Sequence, residues 1–87
     1  MDCYNIRWKA SADKELRALP KITIQAVLDA VDKLAKNPYA VNTKKLKGTA
    51  KAYFRVRVGD YRIIYEVNNQ ELIIFIIEIG HRKDVYK

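Results

Sequence analysis

The sequence predicts a small α+β domain of order β-α-α-β-β-β, with two N-terminal helices packed on one face of a small, mostly antiparallel four-stranded sheet. Three observations carry this. Residues near the N-terminus alternate apolar and polar. Residues 24–35 carry an apolar stripe of helical period. Residues 53–67 alternate on both sides of a Gly-Asp pair. At 87 residues the chain is expected to form one domain, spanning 1–87, with one core.

"CYNIRWK" puts Tyr4, Ile6 and Trp8 on one side and Asn5, Arg7 and Lys9 on the other, the pattern of a half-buried strand. Ser11 then offers an N-cap, with Asp13 and Glu15 near the positive helix end, and Pro20 interrupts this helix at about Leu19. From Lys21 a second helix presents Ile24, Val27, Leu28, Val31, Leu34 and Ala35 as one stripe, and "NPYA" ends it. Residues 41–51, "VNTKKLKGTAK", read as a basic loop with no clear period. Three strands follow: Tyr53 to Val58, Tyr61 to Val67 and Leu72 to Ile79, with turns at Gly59-Asp60 and Asn68-Asn69. The last is apolar on both faces and should lie inside the sheet.

Formal net charge is +7, which favours an anionic partner. Residues 44–62 hold seven cations against one acid, Asp60. A single cysteine, Cys3, permits no intrachain disulfide and fits a reducing cytoplasm. The N-terminus lacks the apolar core of a secretory signal. The longest apolar run, "LIIFII", is far too short to cross a bilayer as a helix, so no membrane association is expected.

A two-residue turn at Gly59-Asp60 fixes which residues face each other: Val58 and Tyr61, Arg57 and Arg62, Arg55 and Ile64, Tyr53 and Glu66. Residues directly opposite share a face. One face therefore carries Tyr53, Arg55, Arg57 and Arg62, and the other, with Phe54, Val56, Val58, Tyr61, Ile63 and Tyr65, turns to the core. Like charges directly opposite are destabilising, so the cluster invites an anion, and the planar arginine fork suits phosphate. The same residues could be solvated, or pair with Glu66 and Glu71. "GHRKDVYK" closes the chain with His81, Arg82, Lys83 and Tyr86, a composition suited to RNA phosphates and base stacking, or to a plain polar terminus. One His and one Cys at distant positions form no metal-ligand set, and no nucleotide-binding glycine motif is present, so no cofactor is expected.

"LKGTAKAYFRVRVGDYRIIYEV" together with "GHRKDVY" resembles the RelE/ParE superfamily of type II toxins, in particular its RelE branch, and the likeness spans essentially the whole chain. The resemblance implies the RelE-like fold and a metal-independent endoribonuclease that cuts mRNA in the ribosomal A site. The mRNA 2′-hydroxyl attacks the adjacent phosphorus, giving a cyclic phosphate and a free 5′-hydroxyl. It also implies a RelB-like cognate antitoxin held in a hetero-oligomer. Matched position by position, Arg55, Arg57 and Arg62 would hold the scissile phosphate. Arg82 would lie near the leaving oxygen, and Tyr86 would stack on a base or orient the 2′-hydroxyl. Lys44, Lys45, Lys47, Lys51, His81 and Lys83 would contact RNA. The best-known members carry lysines at the positions of Arg55 and Arg57; an arginine essentially cannot give up its proton, so a general base is not assigned there. Lys47 and Lys51, or orientation and electrostatics without a dedicated base, remain in its place. A ParE-like inhibitor of DNA gyrase and a non-catalytic RNA-binding member of the same fold are the alternatives.

Overall fold

The computed structural model describes residues 3–39, 43–45 and 53–81, the segment 43–45 by its backbone. Strand β1 (Asn5–Trp8) leads into α1 (Ala10–Arg17) and α2 (Lys21–Lys36), followed by β2 (Thr43–Lys45), β3 (Tyr53–Val58), β4 (Tyr61–Asn68) and β5 (Ile73–His81). The sheet is five-stranded, in the order β1-β5-β4-β3-β2. β1 runs parallel to β5 and every other pair is antiparallel. The expected class and helix placement hold. The added strand is β2, inside the stretch expected to be a loop. Three residues show no readable period, and their strand character comes from pairing with β3, Thr43 against Val56 and Lys45 against Phe54. A short, lysine-bearing strand is a common way to blunt a sheet edge.

Helix α1 starts earlier than expected. Ser11 lies inside it, and Lys9 takes the cap position without a side-chain cap bond. The cause is β1: the Lys9 N–H donates to the Ile76 carbonyl at 2.9 Å, and the Lys9 carbonyl accepts from Asp13 N–H at 2.9 Å, so strand passes straight into helix. Pro20, which has no N–H to leave unsatisfied, precedes α2, and its carbonyl accepts from Ile24 N–H at 2.9 Å.

Both helices cover the same sheet face. Ala12 and Leu16 of α1 and Val27, Val31 and Leu34 of α2 are buried with Val56, Ile63, Tyr65, Val67, Ile74, Ile76 and Ile79. Leu28, expected in the apolar stripe, is instead 38% exposed. The Tyr65 hydroxyl donates to the Pro38 carbonyl at 2.6 Å, tying the end of α2 to the centre of the sheet. Its ring stacks on Phe54 with centroids 5.8 Å apart.

β5 lies between β1 and β4, as its apolar sequence suggests. Its register slips at Ile64/Tyr65: Ile64 pairs with Glu78 but Tyr65 with Ile76. The bulge inserts Ile77 and shifts the buried phase from Ile74 and Ile76 to Ile79, which is why the strand reads as apolar on both sides. The turn after β4 spans residues 69–72 rather than Asn68-Asn69. The Asn68 side-chain oxygen accepts from Glu71 N–H at 3.0 Å, and Leu72 sits at φ 55, strained for a branched side chain. Among the described residues no helix is long and apolar enough to cross a membrane.

Candidate functional site

The face of the sheet away from the helices carries the site. It is built by the hairpin β3–β4, whose turn rests on Gly59 at φ 59. Asp60 is not in the positive-φ region, so the signs are those of a type II′ turn, which asks for glycine first. The ladder follows the expected register throughout: Val58 opposite Tyr61, Arg57 opposite Arg62, Arg55 opposite Ile64 and Tyr53 opposite Glu66.

Arg55, Arg57 and Arg62 thus share one face. Directly opposite residues have Cβ atoms about 5 Å apart, which sets Arg57 and Arg62 side by side. Their environments differ. Arg57 is exposed, Arg55 is half-buried and Arg62 is 6% exposed, the one buried charged residue among those described. Across the other ladder Arg62 faces Gly80, which has no side chain of its own. A buried guanidinium beside an exposed one, both set on one face by the hairpin, can offer charge and N–H donors to an oxyanion. Neither Glu66 nor Glu71 pairs with these arginines. Among the described residues Arg17 pairs with Asp13 at 3.2 Å, one turn apart on α1.

The remaining expected site residues divide. Lys44 stands opposite Arg55 in the β2–β3 ladder, the register position that extends the cationic row, whereas Lys45 stands opposite Phe54. His81 pairs with Tyr61, a core-side position, and its ring meets the Tyr61 ring edge-on at 5.1 Å. The structure therefore does not bring His81 to the arginines. Lys47, Lys51, Arg82, Lys83 and Tyr86 lie outside the described residues.

Sequence reasoning missed the far half of this face. Glu66 lies beside Phe75 across β4–β5, and Phe75 beside Arg7 across β5–β1. Arg7 was legible as the polar side of an alternating strand, but the parallel partner that places it near Phe75 was not.

A two-layer α+β protein with one sheet face under helices and the other open and arginine-bearing is the class these features define. A family model described as the ParE toxin of the type II toxin-antitoxin system, parDE, matches residues 6–86. The chain belongs to that family and is a type II toxin of the RelE/ParE superfamily. It is similar to Toxin RelG of Mycobacterium tuberculosis, 29% identical over 85 residues that cover 97% of each chain. Its fold is similar to the archaeal RelE-RelB complex from Pyrococcus horikoshii OT3 (TM-score 0.83, 32% identity, 94% of this chain and 97% of that one). It also matches the toxin-antitoxin complex RelBE2 of M. tuberculosis (TM-score 0.80, 27% identity, 92% and 99%).

Proposed function

We propose that this toxin is a ribosome-dependent endoribonuclease that cuts mRNA in the A site and so inhibits translation in the cytoplasm. The observation that carries the reading is the arginine triad on the open face, in the hairpin register that sets Arg57 against Arg62. Arg55, Arg57 and Arg62 would grip the scissile phosphate, and their fixed charges would stabilise the extra negative charge that grows as the 2′-hydroxyl attacks. The 2′-oxygen forms its bond to phosphorus as the bond to the 5′-oxygen breaks, leaving a cyclic phosphate and a 5′-hydroxyl. Arg82 would serve the leaving oxygen, Tyr86 the base or the 2′-hydroxyl, and Lys44, Lys47, Lys51 and Lys83 the backbone. Arginine stays protonated, so these residues act by charge and orientation rather than as a base.

A RelB-like antitoxin would form a hetero-oligomer with the chain and silence it; the complexes of similar fold from P. horikoshii and M. tuberculosis support this. A ParE-like inhibitor of DNA gyrase is the second reading, since the matching family model is described as a ParE toxin. One experiment separates them. Purified protein is added to a reconstituted translation reaction, mRNA 5′ ends are mapped by primer extension, and gyrase supercoiling is assayed in parallel. Cuts within A-site codons only when ribosomes are present support the endoribonuclease. Arg62→Ala should then abolish cutting and still bind antitoxin. Absence of cuts with loss of supercoiling would transfer the function to gyrase, and absence of both would leave a non-catalytic member.

A further inference from the structure

An attacking 2′-hydroxyl must lose a proton, and no arginine on the open face can take it. His81, the chain's one histidine, pairs with Tyr61 on the core side. The acceptor has to come from another residue that the sheet brings to the open face.

Strand β5 supplies one through its bulge. Ile74 and Ile76 turn to the core, so strict alternation would send residue 78 there as well. The extra residue at Ile77 reverses the phase. Ile79 is buried instead, and Glu78 is exposed opposite Ile64, on the arginine face. Bulges are common beside active sites, where they re-aim a single side chain. The register then places Glu78 against the arginines. One row runs Arg57, Arg62, Gly80, and the next runs Lys44, Arg55, Ile64, Glu78. Glu78 is thus the diagonal neighbour of Arg62, with Cβ atoms about 7 Å apart, within reach of two long side chains. Gly80 stands between them in sequence and contributes no side chain to the gap. A nucleotide whose phosphate rests on Arg62 holds its 2′-oxygen about 3 Å from phosphorus at attack, so one anchored nucleotide can meet both side chains. Glu66, also on this face, lies four residues along β4 from Arg62, about 13 Å at the usual rise.

We infer that Glu78 is the general base of the cleavage, which rests on the endoribonuclease reading above. Its carboxylate takes the proton of the 2′-hydroxyl as the 2′-oxygen bonds to phosphorus. The bond to the 5′-oxygen breaks, that oxygen takes a proton from water, and Glu78 returns its own proton to solvent. The arginines hold the phosphate and its growing charge throughout. An acid without this role would only repel the RNA phosphate, so its removal would leave cutting unchanged or faster. A base predicts the opposite sign.

The test measures single-turnover cutting of ribosome-bound mRNA at saturating toxin. Binding is measured separately on the same ribosome complex with a 2′-deoxy residue at the cut nucleotide, which blocks the attack. Glu78→Gln keeps the shape and loses the proton acceptor, so cutting should fall about a hundredfold or more with binding unchanged or tighter. Glu78→Asp, which keeps a carboxylate, should recover part of the rate. Glu71→Gln, on the exposed turn before β5, makes the same change in net charge and should cut like wild type. Unchanged or faster cutting by Glu78→Gln overturns the base and leaves the endoribonuclease reading standing. A loss of cutting matched by an equal loss of binding also overturns it, and makes Glu78 a contact that positions its neighbours. Wild type that fails to cut with ribosomes present removes the endoribonuclease reading and the base with it.

Discussion

Replacing Arg57 with glutamine should stabilise this protein while weakening its hold on RNA. Arg57 faces Arg62 across the hairpin. If the guanidinium groups stand as close as their opposed positions allow, about 6 Å, they repel by at most roughly 0.7 kcal/mol in a water-like dielectric, because Arg57 is exposed and Arg62 has a partner of its own. A domain of 87 residues unfolds with an entropy of about 0.18 kcal/mol/K, so the variant should melt up to about 4 °C higher. The gain should shrink as salt rises, since the screening length falls to about 3 Å at 1 M. The assay is a pair of thermal melts at low and high salt for wild type and Arg57→Gln, with Lys14→Gln on exposed α1 as the control for net charge. Added sulfate should stabilise wild type more than Arg57→Gln. A variant that melts lower than wild type, or a gain indifferent to salt, would refute the reasoning. It would mean that Arg57 is held by a native contact and that no repulsion awaits an anion.

Three further outcomes test the frame around the site. Tyr65→Phe removes the donor to the buried Pro38 carbonyl, and should cost about 1–2 kcal/mol by urea unfolding without altering the stacked ring. Gly59→Ala meets no atom within 4 Å, so its cost is backbone conformation alone, about 1 kcal/mol, and Gly59→Asn should cost less. Ile76→Ala empties a fully buried position between the helices and the sheet and should lose about 2–5 kcal/mol by urea unfolding, a large share of the total for a chain this size.

What was legible beforehand follows from how local each feature is. The hairpin register was readable because one dipeptide, Gly59-Asp60, fixes it, and the arginine face came with it. Helix α2 was readable because its stripe repeats over several turns. Strand β2 was not, because Thr-Lys-Lys has no pattern of its own and becomes a strand only against β3. The pairing of His81 with Tyr61 was hidden for a related reason. Grouping it with its basic neighbours ignored that a strand sends alternate side chains to opposite faces, and β5 continues through His81. The far half of the face was invisible because it needs the parallel β1–β5 pairing, which joins residues nearly seventy positions apart, and Phe75 gives no sign of its face in a strand whose bulge breaks the alternation.

The open face and the two-layer architecture have one cause. A second layer over Ile64, Ile73 and Phe75 would bury more apolar surface and stabilise so small a chain. Those residues sit in rows with Arg55, Glu66 and Arg7, and covering them would take unpaired charge out of water, at a cost of several kcal/mol per ion. The charged residues therefore forbid the layer and keep three large apolar side chains half-buried. Among the described residues Arg7, Arg55 and Glu66 make no ion pair, and a face kept open against the interest of stability is one that acquires contacts from a partner. In the reading proposed here, that partner is RNA when the toxin acts and antitoxin when it is silenced.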